Sequence, residues 1–187
     1  DGANWVEESA AAPFSGRWGH TSAVFDGKIW VIGGRSSGPR NDVWFSPDGS
    51  TWTLATLAAP FSPRQDHTTV VFDNRVWVIG GVDAGARRND VWSSVDGAAW
   101  VQATASAGFS PRYSHTSVVF DGRMWVIGGS DDQAFKNDVW SSLDGILWIR
   151  ETADGSFGAR LEHTTVAENN RMWLIGGLDG SWVRNDV

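Results

Sequence analysis

Four histidines recur at an almost fixed spacing and are the first residues of the chain that could do chemistry. Imidazole nitrogens bind Zn, Cu and Ni, so histidines gathered around one axis would form a metal site. A residue that recurs in every copy of a repeat more often makes the same hydrogen bond inside each unit, and we favour this structural interpretation. We therefore predict neither a metal nor another cofactor. The histidines, separated by 47, 48 and 48 residues, are His20, His67, His115 and His163.

Two sets of cations and one set of carboxylates share this period. A ring of cations could hold an anionic ligand, but recurrence favours structural bonds to backbone carbonyls or to the carboxylates. The first cationic set is Arg17, Arg64, Arg112 and Arg160. The second cationic set is Arg40, Arg88, Lys136 and Arg184. Each carboxylate follows an asparagine and is also a candidate partner for a histidine. These carboxylates are Asp42, Asp90, Asp138 and Asp186.

The composition excludes several classes of partner. The 187 residues carry a formal net charge of −7 and contain no run of Lys or Arg, whereas nucleic acids and anionic membranes require a basic surface. No stretch approaches the roughly 18 consecutive apolar residues of a membrane span. The absence of Cys excludes disulfides, thiolate metal sites and cysteine nucleophiles. We predict no nucleic-acid partner and no membrane partner.

Short apolar segments joined by tight turns position these residues. Asp73-Asn74 is a predicted hairpin turn, because Asn and Asp tolerate the positive φ that such a turn requires. The pair Gly80-Gly81 is predicted to end the second strand, where close backbone approach or a conformation forbidden to a Cβ requires glycine. The predicted strands of the second unit are 67–72, 76–79, 89–94 and 100–103.

Four short antiparallel strands in each unit predict one β-propeller blade per repeat. The chain is therefore predicted to be a single all-β unit. Its four repeats span approximately 1–48, 49–96, 97–144 and 145–187.

The repeat unit resembles the kelch repeat. The shared features are Arg-x-x-His, Gly-Gly, Asn-Asp-Val-Trp and Asp-Gly-x-x-Trp, in this order, over essentially the whole chain. The use of Trp at both aromatic positions is similar to kelch repeats of bacterial origin. The resemblance implies an all-β, kelch-type β-propeller with four four-stranded blades per chain. With the acidic, Cys-free composition it also implies a secreted protein, extracellular or periplasmic.

An open stack of four blades would expose apolar end faces and free strand edges, so we expect the ring to be closed. The resemblance implies that a strand at 5–8 completes the last blade. Three closures are open: a homodimer with eight blades that exchanges N-terminal strands, a longer parent chain or other multi-chain ring, and a four-bladed ring of one chain. The symmetric dimer is favoured.

Function in a repeat fold is expected where the copies differ. The copies differ between the Arg and the His and in the loop after Gly-Gly, and the resemblance implies that both regions meet at one mouth of the central channel. Aromatic side chains beside carboxylates suit sugars or cationic peptides; the alternative is ordinary polar loop chemistry. The predicted ligand-binding residues are Trp18, Arg35, Asp66, Asp83, Tyr113, Asp131, Asp132, Glu162 and Asp179.

The sequence favours a non-catalytic binding or scaffolding propeller with a protein or sugar ligand. Galactose oxidase, a kelch-type enzyme, needs a Tyr crosslinked to Cys, but this chain has no Cys and one Tyr, Tyr113. No serine-hydrolase, zinc-protease or phosphate-loop motif occurs, although a pair such as Asp66 and Glu162 could act as acid and base. The alternatives are a carbohydrate-binding or carbohydrate-active kelch protein and a structural, self-assembling propeller fragment, natural or engineered.

Overall fold

The computed structural model describes residues 2–187, and all secondary-structure elements in that range are β-strands. Three four-stranded antiparallel sheets and two short two-stranded sheets make up the fold. This topology confirms the predicted all-β architecture of antiparallel blades. Within 2–187 there is no helix that is long and apolar enough to cross a membrane.

Each blade contains strands that are consecutive in the sequence. Blade 1 consists of β1 (Thr21–Phe25), β2 (Lys28–Arg35), β3 (Pro39–Ser46) and β4 (Thr53–Thr56). Blade 2 consists of β5 (Thr68–Phe72), β6 (Arg75–Val82), β7 (Arg87–Ser94) and β8 (Val101–Thr104). Blade 3 consists of β9 (Thr116–Phe120), β10 (Arg123–Ser130), β11 (Phe135–Ser142) and β12 (Ile149–Thr152). Blade 4 consists of β13 (Thr164–Glu168), β14 (Arg171–Ile175), β15 (Gly177–Leu178) and β16 (Val183–Arg184).

The blades follow one another in an arc. The innermost strands are in contact in the order β1, β5, β9 and β13, so blades 1 and 4 lie at the two ends. The hairpin turns between the first and second strands have the predicted geometry: Asp73 and Asn74 have φ of 47° and 53°. Two consecutive left-handed residues match the twist of the flanking strands and keep these hairpins tight.

In blades 1 to 3 the glycine pair forms a bulge inside the second strand, whereas the sequence predicted that the pair ends this strand. In blade 4 the strand is interrupted at Gly176, between β14 and β15. β6 continues through Gly80 and Gly81 to Val82, with a register shift against β7 between Ile79 and Gly81. Gly81 has φ of 97°, and a Cβ there would lie 2.7 Å from the Cβ of His67. Both expected reasons for glycine therefore apply, and the bulge lets the strand continue past the close contact.

The hydrophobic core lies between adjacent blades. Trp30 of β2 is 2% exposed, and a Cβ on Gly97 of blade 2 would overlap its ring. Phe61 and Trp100 complete this contact with an edge-to-face ring pair whose centroids are 5.2 Å apart. Glycine in the turn before the fourth strand thus leaves room for a tryptophan of the preceding blade. We call the contact surface between two adjacent blades a joint.

The N-terminal segment does not complete blade 4 within the single chain. Residues 5–8 form no strand, and Trp5 is 88% exposed. In blade 3 the fourth strand pairs with the third at Val139, Trp140 and Ser141. In blade 4, β16 pairs with β15 and with no other strand of residues 2–187. The predicted closure by this segment is absent within the described part of one chain.

Candidate functional site

The first cationic set is used in structural bonds. The buried Arg64 guanidinium donates to the Gly80 carbonyl over 2.9 Å and to both carboxylate oxygens of Asp90 over 2.7 and 2.8 Å. Burial alone would raise the pKa of Asp90, but the bonds from Arg64 and Trp92 outweigh it and lower that pKa. The structural interpretation of this set is confirmed. The equivalent pairs are Arg17–Asp42, Arg112–Asp138 and Arg160–Asp186.

Three of the four histidines connect adjacent blades. Nε2 of His67 in blade 2 lies 2.9 Å from Oγ1 of Thr21 in blade 1, within hydrogen-bond distance. The predicted bond inside one unit, with an aspartate as candidate partner, is therefore wrong. The aspartates already accept hydrogen bonds from the arginines of the first cationic set. The imidazole instead contacts a threonine on the other side of the joint. The other two bonds are His115–Thr68 over 3.0 Å and His163–Thr116 over 2.9 Å.

Burial and arginine charges keep these histidines neutral. Burial and the positive charge of Arg64 lower the pKa of His67 to about 3. Burial and Arg160 lower the pKa of His163 to about 4. The residues that the structure describes contain no group of three His, Cys, Asp or Glu side chains that could hold a metal ion. The observed role of these three histidines is to connect adjacent blades.

The innermost strands line an open cavity of about 290 Å³, and most of its lining residues are Thr or Ser. Their hydroxyl groups bond one another across the joints, and no charged side chain lines the cavity. Each bond joins the first residue of one inner strand to the second residue of the next. These bonds are Thr21–Thr69 over 2.6 Å, Thr68–Ser117 over 2.6 Å and Thr116–Thr165 over 2.7 Å.

The two variable regions of each repeat meet at one end of the cavity. Trp18 and Arg35 exchange backbone hydrogen bonds of 3.0 and 2.8 Å. Thr21 pairs with Ile32, so the beginning of β1 lies beside the end of β2 and both loops are at the same end of the blade. The equivalent pairs in blades 2 to 4 are Gln65–Val82, Tyr113–Ser130 and Leu161–Leu178. We call this surface, made by residues 18–19, 65–66, 113–114 and 161–162 and by the loops that follow the Gly-Gly pairs, the variable face.

Backbone hydrogen bonds run across the variable face from blade to blade. The amide of Asp66 donates to Gly19, that of Ser114 to Asp66 and that of Glu162 to Ser114, over 2.8, 3.0 and 3.0 Å. Asp66, Ser114 and Glu162 have φ of 52°, 49° and 58°, a region that favours glycine. Gly19, at the same position of blade 1, has φ of 61°. The left-handed backbone therefore recurs in every blade and serves the bonds between blades, whereas the side chains at this position differ.

Three of the nine predicted ligand residues are used inside their own loops. Asp131 accepts backbone hydrogen bonds from Gln133 and Ala134, each over 2.9 Å, and pairs with Lys136 over 2.6 Å. Burial alone would raise the pKa of Asp131, but these bonds outweigh it and hold the pKa well below its usual range. These aspartates shape the loops and bind three members of the second cationic set, whereas Arg40, the fourth, donates to Oγ of Ser36. The equivalent pairs are Asp83–Arg88 and Asp179–Arg184.

Arg35 and Asp66 are joined by a residue that was not predicted, Gln65. The Arg35 guanidinium donates to Oε1 of Gln65 over 3.3 Å, and Nε2 of Gln65 donates to Asp66 over 2.9 Å. A Cβ at Gly19 would lie 2.6 Å from Oδ1 of Asp66, so glycine leaves room for the carboxylate. Gln65 lies in a variable pair, and this variability was the signal that could have identified it.

Tyr113 and Asp132 are joined by a second unpredicted residue, Arg87. Its guanidinium lies 5.1 Å from the centroid of the Tyr113 ring and forms an ion pair with Asp132. Arg87 belongs to blade 2 and the other two residues to blade 3, so the contact crosses a joint. Arg87 also lies at a repeat position that differs between blades, and this variability was the signal that could have identified it. The same repeat position is occupied in the other blades by Pro39, Phe135 and Val183.

The remaining predicted residues present free side chains. Trp18 is 56% exposed, and Glu162 is exposed at the blade 4 end of the variable face. Asp66 and Glu162 form no ion pair within residues 2–187, whereas Asp132 is paired. All nine predicted residues thus lie on the variable face with exposed or half-buried side chains, and six of them are not bound to a cation of their own loop. They are Trp18, Arg35, Asp66, Tyr113, Asp132 and Glu162.

A protein-family model matches most of the chain. This model, described as the KLHDC2/KLHL20/DRC7 Kelch-repeats domain, matches residues 19–187. Comparison with curated proteins gave no match. The family match begins on the variable face and covers all four blades.

Proposed function

The chain belongs to the kelch-repeat family of β-propellers, and from this we propose that it is a non-catalytic binding propeller whose variable face holds a protein partner. Kelch-repeat propellers generally mediate protein binding, which is consistent with a scaffold role. The observation that carries the proposal is the gathering of six variable side chains on one face. The histidines and glycines of the joints recur in every blade, whereas these six residues do not.

We propose that the partner contributes a segment with a lysine or arginine side chain. Asp66 and Glu162 lack ion pairs within residues 2–187 and would accept hydrogen bonds from such a cation. Trp18 and Tyr113 offer aromatic faces beside them, and a cation over such a face gains about 0.5–2 kcal/mol. The net charge of −7 favours encounter with a cationic partner.

The test is calorimetric titration with short peptides that contain Lys or Arg, selected on an array. The double variant Asp66→Asn with Glu162→Gln is expected to bind at least about tenfold more weakly and with a smaller dependence on salt. Asp73→Asn with Asp121→Asn is the matched control, because it removes two charges from hairpin turns at the opposite end of the inner strands. Equal weakening in both double variants would contradict binding at the variable face.

A carbohydrate ligand is the second candidate, favoured by the exposure of Trp18, which offers a flat platform for a sugar ring. Neutral oligosaccharides would then quench tryptophan fluorescence in the native chain and not in Trp18→Ala. Quenching by sugars together with no peptide binding would replace the protein partner by a carbohydrate. Quenching that persists in Trp18→Ala would exclude this residue as the platform.

A further inference from the structure

We propose that an open cavity at the joint between blades 1 and 2 binds an aromatic side chain of the protein partner. This inference rests on the proposed function and adds a second feature to the partner segment, beside its cation. Blades 1 and 2 and the segment that connects them supply all seven residues that line the cavity. We call it the joint cavity.

The joint cavity lies beside the variable face and has a volume of about 460 Å³. Ala84, which lines it, belongs to the loop that follows the Gly-Gly pair of blade 2. Val82 of the same loop exchanges backbone hydrogen bonds of 3.0 and 2.9 Å with Gln65, the residue before Asp66. The cavity is therefore a neighbour of the carboxylate that we assign to the cation of the partner. Its apolar lining residues are Pro39, Pro63, Ala84 and Ala86.

The two charged side chains in the wall of the joint cavity neutralise each other. Nε of Arg88 donates to the Asp83 carboxylate over 2.7 Å, and the two side chains form an ion pair. Burial alone would raise the pKa of Asp83, but the bonds from Arg88 and from the Ala86 amide outweigh it and lower that pKa. The ion pair needs no charge from a ligand, and most of the remaining wall consists of methyl groups and proline rings. An uncharged, apolar side chain fits this lining.

The equivalent cavity at the joint between blades 2 and 3 differs in chemistry. It has a volume of about 380 Å³ and shares a Ser-Pro pair, a loop aspartate and a cation with the joint cavity. Asp132 lines it at the repeat position of Ala84, and Gln133 lines it as well. Ala134, at the repeat position of Ala86, does not line it. Of these two cavities, the joint cavity is the more apolar one.

The joint between blades 3 and 4 shows how an aromatic ring uses the same position. Phe135 is the first residue of β11, and its ring lies 3.4 Å from the Cβ position of Gly180, in the loop of blade 4. Arg87 begins β7 and reaches the loop of blade 3 in the same way, where it pairs with Asp132. Pro39 begins β3, and its short ring leaves the joint cavity open. A ring supplied by the partner would take the place that the ring of Phe135 takes in its own joint.

An aromatic side chain gains more from the joint cavity than other apolar side chains do. Phe, Tyr and Trp bury about 150–250 Å² each, and their rings have few rotatable bonds to immobilise. The two prolines and two alanines of the wall lose little side-chain entropy when a ring packs on them. The cavity therefore selects an aromatic residue among the apolar ones.

The position of the joint cavity sets the spacing between the two groups of the partner. Pro63 lines the cavity, and Asp66 follows it after three residues, which span at most about 10 Å of chain. An extended partner segment covers the same distance in about three residues. We expect the aromatic residue of the partner within about four positions of its Lys or Arg.

The first experiment is a peptide array probed with the full chain. Each peptide carries a central Lys and one Phe, or Ala as its control, at up to about seven positions from the Lys, with Gly and Ser elsewhere. Binding is expected to be strongest when Phe lies within about four positions of Lys. Equal binding with Phe and with Ala would overturn the inference and leave the proposed function standing, whereas binding to no peptide would contradict both.

Calorimetric titration of the best peptide and of its Ala version measures the contribution of the ring. Full burial of a Phe side chain predicts a Kd at least about tenfold higher for the Ala version. Asp66→Asn should weaken both peptides by a similar factor, because the carboxylate binds the Lys and not the ring. Equal Kd values for the two peptides would overturn the inference.

Two substitutions at one repeat position locate the ring. Ala86 and Ala134 are both exposed, and each donates its amide to the aspartate of its own loop, over 3.2 and 2.9 Å. Ala86→Phe fills the joint cavity, so the preference for the Phe peptide over the Ala peptide should be lost. Ala134→Phe adds the same ring beside the other cavity and should keep that preference. Loss of the preference in both variants, or in neither, would overturn the assignment of the ring to the joint cavity.

Pro39→Phe is a second variant that fills the joint cavity, and it copies the residue of blade 3. The same repeat position holds Arg87, Phe135 and Val183 in the other blades, so the strand accepts side chains of different size. The variant should keep the circular dichroism spectrum of the native chain and lose the preference for the Phe peptide. A retained preference in the folded variant would contradict an aromatic occupant of this cavity.

Discussion

The joints and the variable face follow the same repeat but use it in opposite ways. At the joints the residue types recur and are buried, as Arg64 and Arg112 are, both fully. On the variable face one repeat position is occupied by four different residues, and Trp18 there is 56% exposed. These four residues are Trp18, Gln65, Tyr113 and Leu161. Recurrence therefore marks the residues that assemble blades, and difference marks those available for recognition.

The largest effect is expected from Gly129→Val, which should unfold or misassemble the chain. A Cβ at Gly129 would lie 2.6 Å from Cβ and 2.8 Å from Cα of His115, so backbone would have to move. Gly122→Val is the control, since Gly122 also has positive φ, 66°, but open space around its Cβ position. It should cost only about 1–2 kcal/mol of conformational strain. Thermal unfolding followed by circular dichroism measures both, and normal folding of Gly129→Val would refute the close approach.

The next effect is expected from Arg112→Met, which removes a buried cation. Asp138 would lose both charge-assisted hydrogen bonds and the Gly128 carbonyl would lose its donor. Breaking a buried pair from one side costs about 3–5 kcal/mol. The control is Arg88→Met, because the Arg88 side chain is 42% exposed and such pairs contribute about 0–1 kcal/mol. If urea unfolding gave the same loss of unfolding free energy for both variants, burial of the first cationic set would contribute nothing to stability.

The sequence predicted which residues are structural, but it did not predict which residues they bond across the joints. Recurrence identified the histidines, arginines and glycines as structural, and it predicted the Arg–Asp pairs. It could not show that His67 bonds Thr21, because that bond joins residues of two blades and depends on how the blades are stacked. Gly80-Gly81 was assigned to a strand end because glycine interrupts strands in general, whereas here a bulge maintains the pairing.

The variable face was predictable in position and only partly in composition. The pairing of Trp18 with Arg35 brings both variable regions to one face, as the resemblance implied. The selection from the sequence missed Gln65 and Arg87, since each of them contacts a residue of an adjacent blade. The same selection included Asp131, although its bond to Lys136 lies within one loop of the sequence.

A decrease in pH is expected to weaken the joints before it affects the Arg–Asp pairs. The folded pKa of His67 is about 3, below the unfolded value of 6.5, so the unfolded state binds more protons as the pH falls. The contribution of His67 to the free energy of unfolding is therefore complete above pH 6.5. It decreases as the pH falls towards 3, by up to about 1.4 kcal/mol per pH unit.

Urea unfolding at several pH values between 7 and 4.5 tests this. His67→Gln is expected to reduce the slope of the free energy of unfolding against pH. His20→Gln should reduce that slope less, because His20 is exposed whereas His67 is buried. An unchanged slope in His67→Gln would contradict protonation of a buried joint.

The smallest effect on stability is expected at the variable face, from Trp18→Ala with Tyr113→Ala. Trp18 is mostly exposed, and the contact of Tyr113 with Arg87 lies at the surface of a joint, so the loss should be within about 1 kcal/mol. Binding of the selected peptide should nevertheless fall at least about tenfold, because both aromatic faces are removed. Thermal unfolding and calorimetry on the same samples separate the two effects. A large loss of thermal stability would instead assign these residues to the joints, and the division between assembly and recognition would no longer hold at this position of the repeat.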